Sequence, residues 1–344
     1  MSLTEAETVD WAAARKEMER WYWWGIPTFF RAPWDEEPGG SEIAVLGVPH
    51  SSGNGSTERD QHLGPRAVRH VSALYRRGHG RFGFVPWDVC KIVDAGDVPL
   101  PEAMVNDTSV RHIELYAKRF AAAGTRVVSI GGDHSITGPL LKAVAGPGSP
   151  MTDGKPVALV HFDSHTDSYH HLPHWLGNRR SAAHWSSYTA IEGNVDPTRS
   201  SQIGIRPNVG TPGSRNTSEE LGYRVIGMDE IERDGWERVA SQVRDRVGDA
   251  PVYVTFDLDV LDPADAPGVS NIEPGYPGLR IGDAVRILQS LRGLNIVGGD
   301  IVCLMPTKDS PNQITAMNAM VVAFEMICLM ADRMRTDKPE HRPA

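Results

Sequence analysis

The sequence predicts an α/β protein of three layers, with helices on both faces of a mainly parallel central sheet. From residue 43 onward, short apolar runs alternate with amphipathic stretches. Such alternation marks strand–helix–strand units whose sheet is covered on both sides. No repeat of 20–50 residues and no linker-like stretch divides the 344 residues. One domain over 43–335 is therefore expected, preceded by a helix and arm over 1–42 and followed by a tail over 336–344.

The elements follow in order. Residues 5–24 have amphipathic helical spacing and end in "WYWWG"; "TFFRAPWDEEPGG" has the Pro/Gly content of an irregular arm. Three tryptophans within 21–24 suit either an arm packed on its own domain or a subunit contact. "IAVLGVP" reads as a buried strand and "GPRAVRHVSALYRR" as a helix. "KIVDAGDV", "VRHIELYAKRFAAAG" and "RVVSIGGDHS" then read as strand, helix, and strand into a glycine turn. "PVALVHFD", "QIGIR" and "YRVIGMDEI" are further strands. A helix around "WERVASQVRDRV", the strand "VYVTFDLDV", the helix "IGDAVRILQSL" and the strand "NIVGGDIVCL" come next. A long Met- and Ala-rich helix over about 312–334 closes the chain.

Composition narrows the partners. The formal charge of −9 argues against nucleic acid or an anionic membrane. No apolar run reads as a membrane span, and the acidic, polar start is unlike a secretion signal. Three cysteines, Cys90, Cys303 and Cys328, lack metal-site spacing and an even count. A cytoplasmic protein with free thiols is expected.

In such folds ligands bind beyond the carboxyl ends of the strands. Three strands end in acids or histidines: Asp133 and His134; His161, Asp163, His165 and Asp167; Asp257, Asp259 and Asp262. Alternate residues of an extended chain share a face, so Asp163, His165 and Asp167 converge if the extension persists, as do Asp257 and Asp259. One Asp after a strand is an ordinary turn residue. Carboxylates packed together without a cation are costly, and two divalent ions remove that cost. Mixed imidazole and carboxylate ligands suit Mn, Fe, Co, Ni or Zn rather than Ca or Mg. Paired ions of this kind serve hydrolysis at carbon or phosphorus.

"GGDHS", "FDSHTD" and "FDLDVLDPADAPG", together with "GVP", "LGPRAVR" and "GIR", resemble the signature blocks of the ureohydrolase family of arginase and agmatinase, over roughly residues 43–335. The resemblance implies two divalent ions, Ni or Mn, held by His134, Asp163, His165, Asp167, Asp257 and Asp259. It implies hydrolysis of a guanidine-type C–N bond, with Asp167 orienting the attacking water and His184 moving a proton to the leaving amine. A neutral-range imidazole suits that task. His170, His171 and His174 read as solvated loop residues.

The family pattern D-x-x-E-x-x-P stands here as "DIVCLMP", with Cys303 where the guanidinium-binding Glu is expected. Glu273, in "SNIEPGYPG", supplies that carboxylate or nothing does. Trp175 and Trp185 are placed to face a delocalised cation, or else pack beneath the loop. A reshaped pocket resembles that of the branch containing guanidine and biguanide (metformin) hydrolases, which use nickel and pair related subunits. The expected substrate is a small guanidine or biguanide. An Mn-dependent agmatinase or guanidino-acid hydrolase is the alternative, and a non-catalytic partner subunit a third reading. A homo- or hetero-oligomer, trimer or hexamer, is expected.

Overall fold

The computed structural model describes residues 9–19, 21–54, 59–74, 77–207 and 214–337. The expected tail lies largely outside these, as do residues 55–58 and 208–213. The elements are α1 (Trp11–Met18), β1 (Ile43–Val48), α2 (Gly64–Ser72), β2 (Ile92–Asp97), α3 (Asn106–Ala122), β3 (Arg126–Gly131), α4 (Thr137–Val144), β4 (Ala158–Phe162), α5 (Trp185–Ile191), β5 (Ser201–Ile205), α6 (Ser214–Leu221), β6 (Arg224–Gly227), α7 (Met228–Val247), β7 (Val252–Asp257), α8 (Ile281–Ser290), β8 (Ile296–Val302) and α9 (Ile314–Asp337).

The eight strands form one sheet in the order β2-β1-β3-β8-β7-β4-β5-β6, and every pairing is parallel. The expected layering is thus present. β1, β4, β5, β7 and β8 are buried at every position, as a sheet covered on both faces requires. Side chains alternate between two cores: Val252, Val254 and Phe256 of β7 face one, and Tyr253 the other.

Of the helix expected over 5–24, residues 5–8 and 20 lie outside the described residues, and within these the helix is Trp11–Met18. Asp10 caps it by accepting from the amides of Ala12 and Ala13 at 3.0 Å, and it stops at Met18. Trp21 and Trp23 follow, stacked on each other and exposed. Helices α4, α5 and α6 were not legible, being only seven or eight residues long. The stretch Ile314–Thr336 is long and apolar enough to cross a membrane, but 83% of its most apolar window is buried inside the fold; it is a core helix. Arg69 of the "LGPRAVR" stretch ties α2 to the sheet edge, reaching Asp94 from Nε at 2.8 Å and Asp97 from Nη1 at 2.8 Å.

The order of the sheet builds the site. β3, β8, β7 and β4 are consecutive neighbours, so three strand ends far apart in sequence open onto one place, with the end of β8 among them.

Candidate metal centre

The turn after β3 requires glycine. Gly132 has φ +45, and a Cβ there would meet the carbonyl oxygens of Val48 and His50 at 2.6 Å. This tight passage delivers His134. Asp133 itself is fully used within the protein: Oδ2 accepts from the amides of Gly53 and Asn54 at 2.8 and 3.0 Å, and Oδ1 from Ser135.

His134 places Nδ1 at 3.0 Å from Oδ2 of Asp163, 3.0 Å from Oδ2 of Asp167 and 3.1 Å from Oδ2 of Asp257. That nitrogen is buried and has no hydrogen-bond partner. An orphaned imidazole nitrogen facing three carboxylate oxygens fits a divalent cation. Beside it lies a second group. Nδ1 of His165 is 3.3 Å from Oδ1 of Asp163 and 3.2 Å from Oδ2 of Asp259. Asp163 thus gives one oxygen to each group, the arrangement of a shared ligand between two ions. All six residues expected to bind metal are brought together.

His161 also touches Asp163, with Nε2 at 2.8 Å from Oδ2. The Gln202 amide nitrogen lies 3.2 Å from Nδ1 of His161 and donates at 2.7 Å to the carbonyl of Thr166, which fixes its orientation. Nδ1 of His161 therefore accepts, and Nε2 carries the proton that it donates to Asp163. His161 orients a ligand.

The charges show what a cation would replace. Burial, then Asp259 and Asp163, push the Asp257 carboxyl up to about 8. Burial also raises Asp259. On Asp163 burial acts the same way, but the neighbouring imidazoles of His134, His161 and His165 overcome it and hold the carboxyl well below its usual range. Burial opposes a charge on His134 and His165, yet neighbouring carboxylates hold both imidazoles well above theirs. In the metal-free chain, protons on the imidazoles offset the carboxylates. Bound divalent ions would take that place and lower the pKa of a water held between them.

The other expected site residues fall differently. Glu273 is at the centre, with Oε1 3.2 Å from Nε2 of His165. Cys303 is there too: its backbone takes φ +68, and its thiol lies against Asp257 and Ser270. Burial, then Asp257 and Asp259, hold that thiol protonated. Trp185 is fully buried rather than facing a pocket. Its ring packs 4.7 Å from His134 and 4.8 Å from His161, and its indole N–H donates to Asp167 at 2.7 Å. Packing beneath the loop is thus the reading the structure supports for it. Trp175 sits 40% exposed on a turn closed by reciprocal backbone bonds with Asn178.

His184 is buried with both ring nitrogens engaged. Nδ1 is 2.7 Å from Oγ of Ser181, and Nε2 is 3.0 Å from the carbonyl of Leu172. A carbonyl only accepts, so Nε2 carries the proton and Nδ1 accepts from Ser181. Burial lowers the ring's pKa, so it is neutral near pH 7. His170, His171 and His174 lie exposed on the loop.

Sequence reasoning passed over Gln202, Ser164, Thr255 and Asp300. The hydroxyl of Ser164 donates to Asp259 at 2.7 Å, and Thr255 meets His134 at 3.0 Å. For Asp300 a signal existed: it is the one charged residue in the buried strand "IVGGDIV".

The profile of the arginase family matches residues 41–328. The chain is similar to a guanidinopropionase of Pseudomonas aeruginosa, 37% identical over 309 residues, covering 90% of this chain and 92% of that protein. It is similar to an agmatinase of Photorhabdus laumondii, 36% identical over 314 residues, covering 89% and 94%. Among solved structures, proclavaminate amidino hydrolase from Streptomyces clavuligerus superimposes with a TM-score of 0.81 at 31% identity, covering 91% of this chain and 99% of that one.

Proposed function

The chain belongs to the arginase family and is a hydrolase of C–N bonds in linear amidines, and from that footing we propose that it splits a small guanidino acid into urea and an amino acid. The observation that carries the reading is the pair of His/Asp groups sharing Asp163. Manganese or nickel suits that donor set.

The residues divide the work. Asp167 has φ +49, and Trp185 fixes its Oδ2; Oδ1 is left to orient the attacking water. Glu273 offers a carboxylate beside His165, where a guanidinium would be held by a charge-assisted pair. His184 takes or gives the proton of the leaving amine through Nδ1, since its Nε2 is tied to Leu172.

The loop "YHHLPHWLGNRR" carries three histidines and two arginines and no acid. Glu192 engages Arg180, and Arg179 stands exposed. This charge favours the carboxylate of a guanidino acid over the ammonium of agmatine. Cys303 favours a second reading, an alkylated guanidine or a biguanide such as metformin, because a neutral thiol against Asp257 leaves room and removes a charge. The three free thiols, Cys90, Cys303 and Cys328, accord with a cytoplasmic setting. The exposed Trp11, Trp21 and Trp23 suit assembly into a trimer or hexamer, with itself or a related subunit.

The test is kcat/KM of the Mn- and Ni-loaded protein on 3-guanidinopropionate, agmatine, guanidine and dimethylbiguanide. A preference for agmatine removes the guanidino-acid reading, and a preference for dimethylbiguanide installs the second. No turnover of any substrate with both ions bound leaves the partner-subunit role.

A further inference from the structure

His134 has two ring nitrogens and only one faces the carboxylates. On the other side Nε2 lies 3.0 Å from Oγ1 of Thr255. Thr255 in turn lies 2.6 Å from Oδ1 of Asp300, and the hydroxyl of Tyr253 donates to Oδ2 of Asp300 at 2.7 Å. His134, Thr255 and Asp300 are at most 1% exposed, and Tyr253 2%.

The sheet produces this line-up. Asp300 of β8 is in register with Thr255 of β7. Tyr253, Thr255 and Asp257 alternate along β7 and share a face. The strand that supplies a metal ligand therefore also supplies two hydroxyls to the same buried carboxylate.

We infer that Thr255 and Asp300 form a positioning relay that fixes which nitrogen of His134 is free for the first cation and so sets the affinity of that position alone. The inference rests on reading the His/Asp cluster as a two-cation site. Thr255 has one hydroxyl proton, and Asp300 takes it. Thr255 can then only accept from His134, so Nε2–H points at Thr255 and the lone pair on Nδ1 points at Asp163, Asp167 and Asp257. Tyr253 holds the second oxygen of Asp300, so the carboxylate cannot turn away. Both oxygens of Asp300 are held by hydroxyls, those of Thr255 and Tyr253. A buried carboxylate held only by hydroxyl groups does not improve stability over an apolar side chain. Its place in the relay supplies a reason for it.

The experiment measures binding of Mn²⁺ alone, as ions per chain and a dissociation constant for each, on the full-length protein. Thr255→Val keeps the side-chain shape and removes the hydroxyl. One ion is expected to weaken about 10–100-fold while the other is unchanged, and Thr255→Ser is expected to restore the first. Unchanged affinity for both ions in Thr255→Val, equal weakening of both, or no rescue by Thr255→Ser overturns the relay. If Thr255→Val does not fold, Tyr253→Phe decides. It leaves Thr255 in place and is expected to weaken the same single ion by a smaller factor, and unchanged binding there also overturns the relay. No guanidino substrate is present, so a chain that binds two ions and hydrolyses nothing refutes the functional reading and leaves the relay standing.

Discussion

The indole N–H of Trp185 donates to Oδ2 of Asp167 at 2.7 Å, and that same oxygen lies 3.0 Å from Nδ1 of His134. A buried aromatic residue thus fixes the direction of a metal-binding carboxylate. Trp185→Phe removes the donor and leaves a small void; it should cost about 1–3 kcal/mol of stability. Thermal unfolding gives the first effect, and a weaker hold on one ion, measured by metal titration, gives the second. Unchanged ion affinity would reduce Trp185 to packing.

Asp163 gives an oxygen to each constellation, whereas Asp259 serves only the second. Asp163→Ala should lose both ions on dialysis and Asp259→Ala only one. Turnover in either should fall about 10³-fold or more. Metal content by elemental analysis separates the two, and two tightly bound ions in Asp163→Ala would refute the shared-ligand assignment.

His134, His165 and Asp257 each hold a proton more tightly folded than unfolded. Stability from those protons is complete below their unfolded pKa values and is lost as pH rises through the folded ones, about 8 for Asp257. Asp163 has the opposite sign, and its contribution is lost only as pH falls below about 4. The metal-free protein should therefore melt several degrees lower at about pH 8.5 than at about pH 6. The rise in Tm on adding Mn²⁺ should be larger at the higher pH. A metal-free Tm that climbs over this range contradicts the assignment.

His184 can accept a proton only at Nδ1, where Ser181 now donates. His184→Ala should keep both ions while kcat falls about 10²-fold. Ser181→Ala frees Nδ1 and should shift the acid limb of the kcat profile without removing activity. Full turnover in His184→Ala would leave the ring a structural tie between Ser181 and Leu172.

Cys303→Glu sets a carboxylate against Asp257 at a position already strained by φ +68. The ratio of kcat/KM on dimethylbiguanide to that on 3-guanidinopropionate should fall about 10-fold or more. A ratio that does not move places Cys303 outside substrate contact.

Much of this was legible because strand and ligand share a short stretch of sequence. "VALVHFDSHTD" holds both a buried strand and the three ligands that follow it, so one short stretch announces both, although the strand stops at Phe162 and Asp167 takes φ +49 rather than continuing the extension. What escaped lies across the sheet. Gln202 meets His161 from β5, and Asp300 meets Thr255 from β8. No local spacing encodes such a pairing; strand order does. For Trp185 the sequence left two readings, facing a cation or packing beneath the loop, and burial decides for the second. Its neighbours in sequence suggested a pocket loop, but it opens α5 and turns inward onto the ligand histidines. The short helices carried too few turns for periodicity to register.

Among the described residues β8 is the last strand, and it pairs with both β3 and β7. A growing polypeptide therefore carries two unfinished half-sheets until Val302 has been synthesised, each with an open edge where β8 will insert. Ligands from β3 and β7 cannot come to their final spacing before that insertion. A truncated chain ending ahead of β8 should be unable to retain a pair of ions, and ion capture would mark the completion of folding rather than guide its early steps.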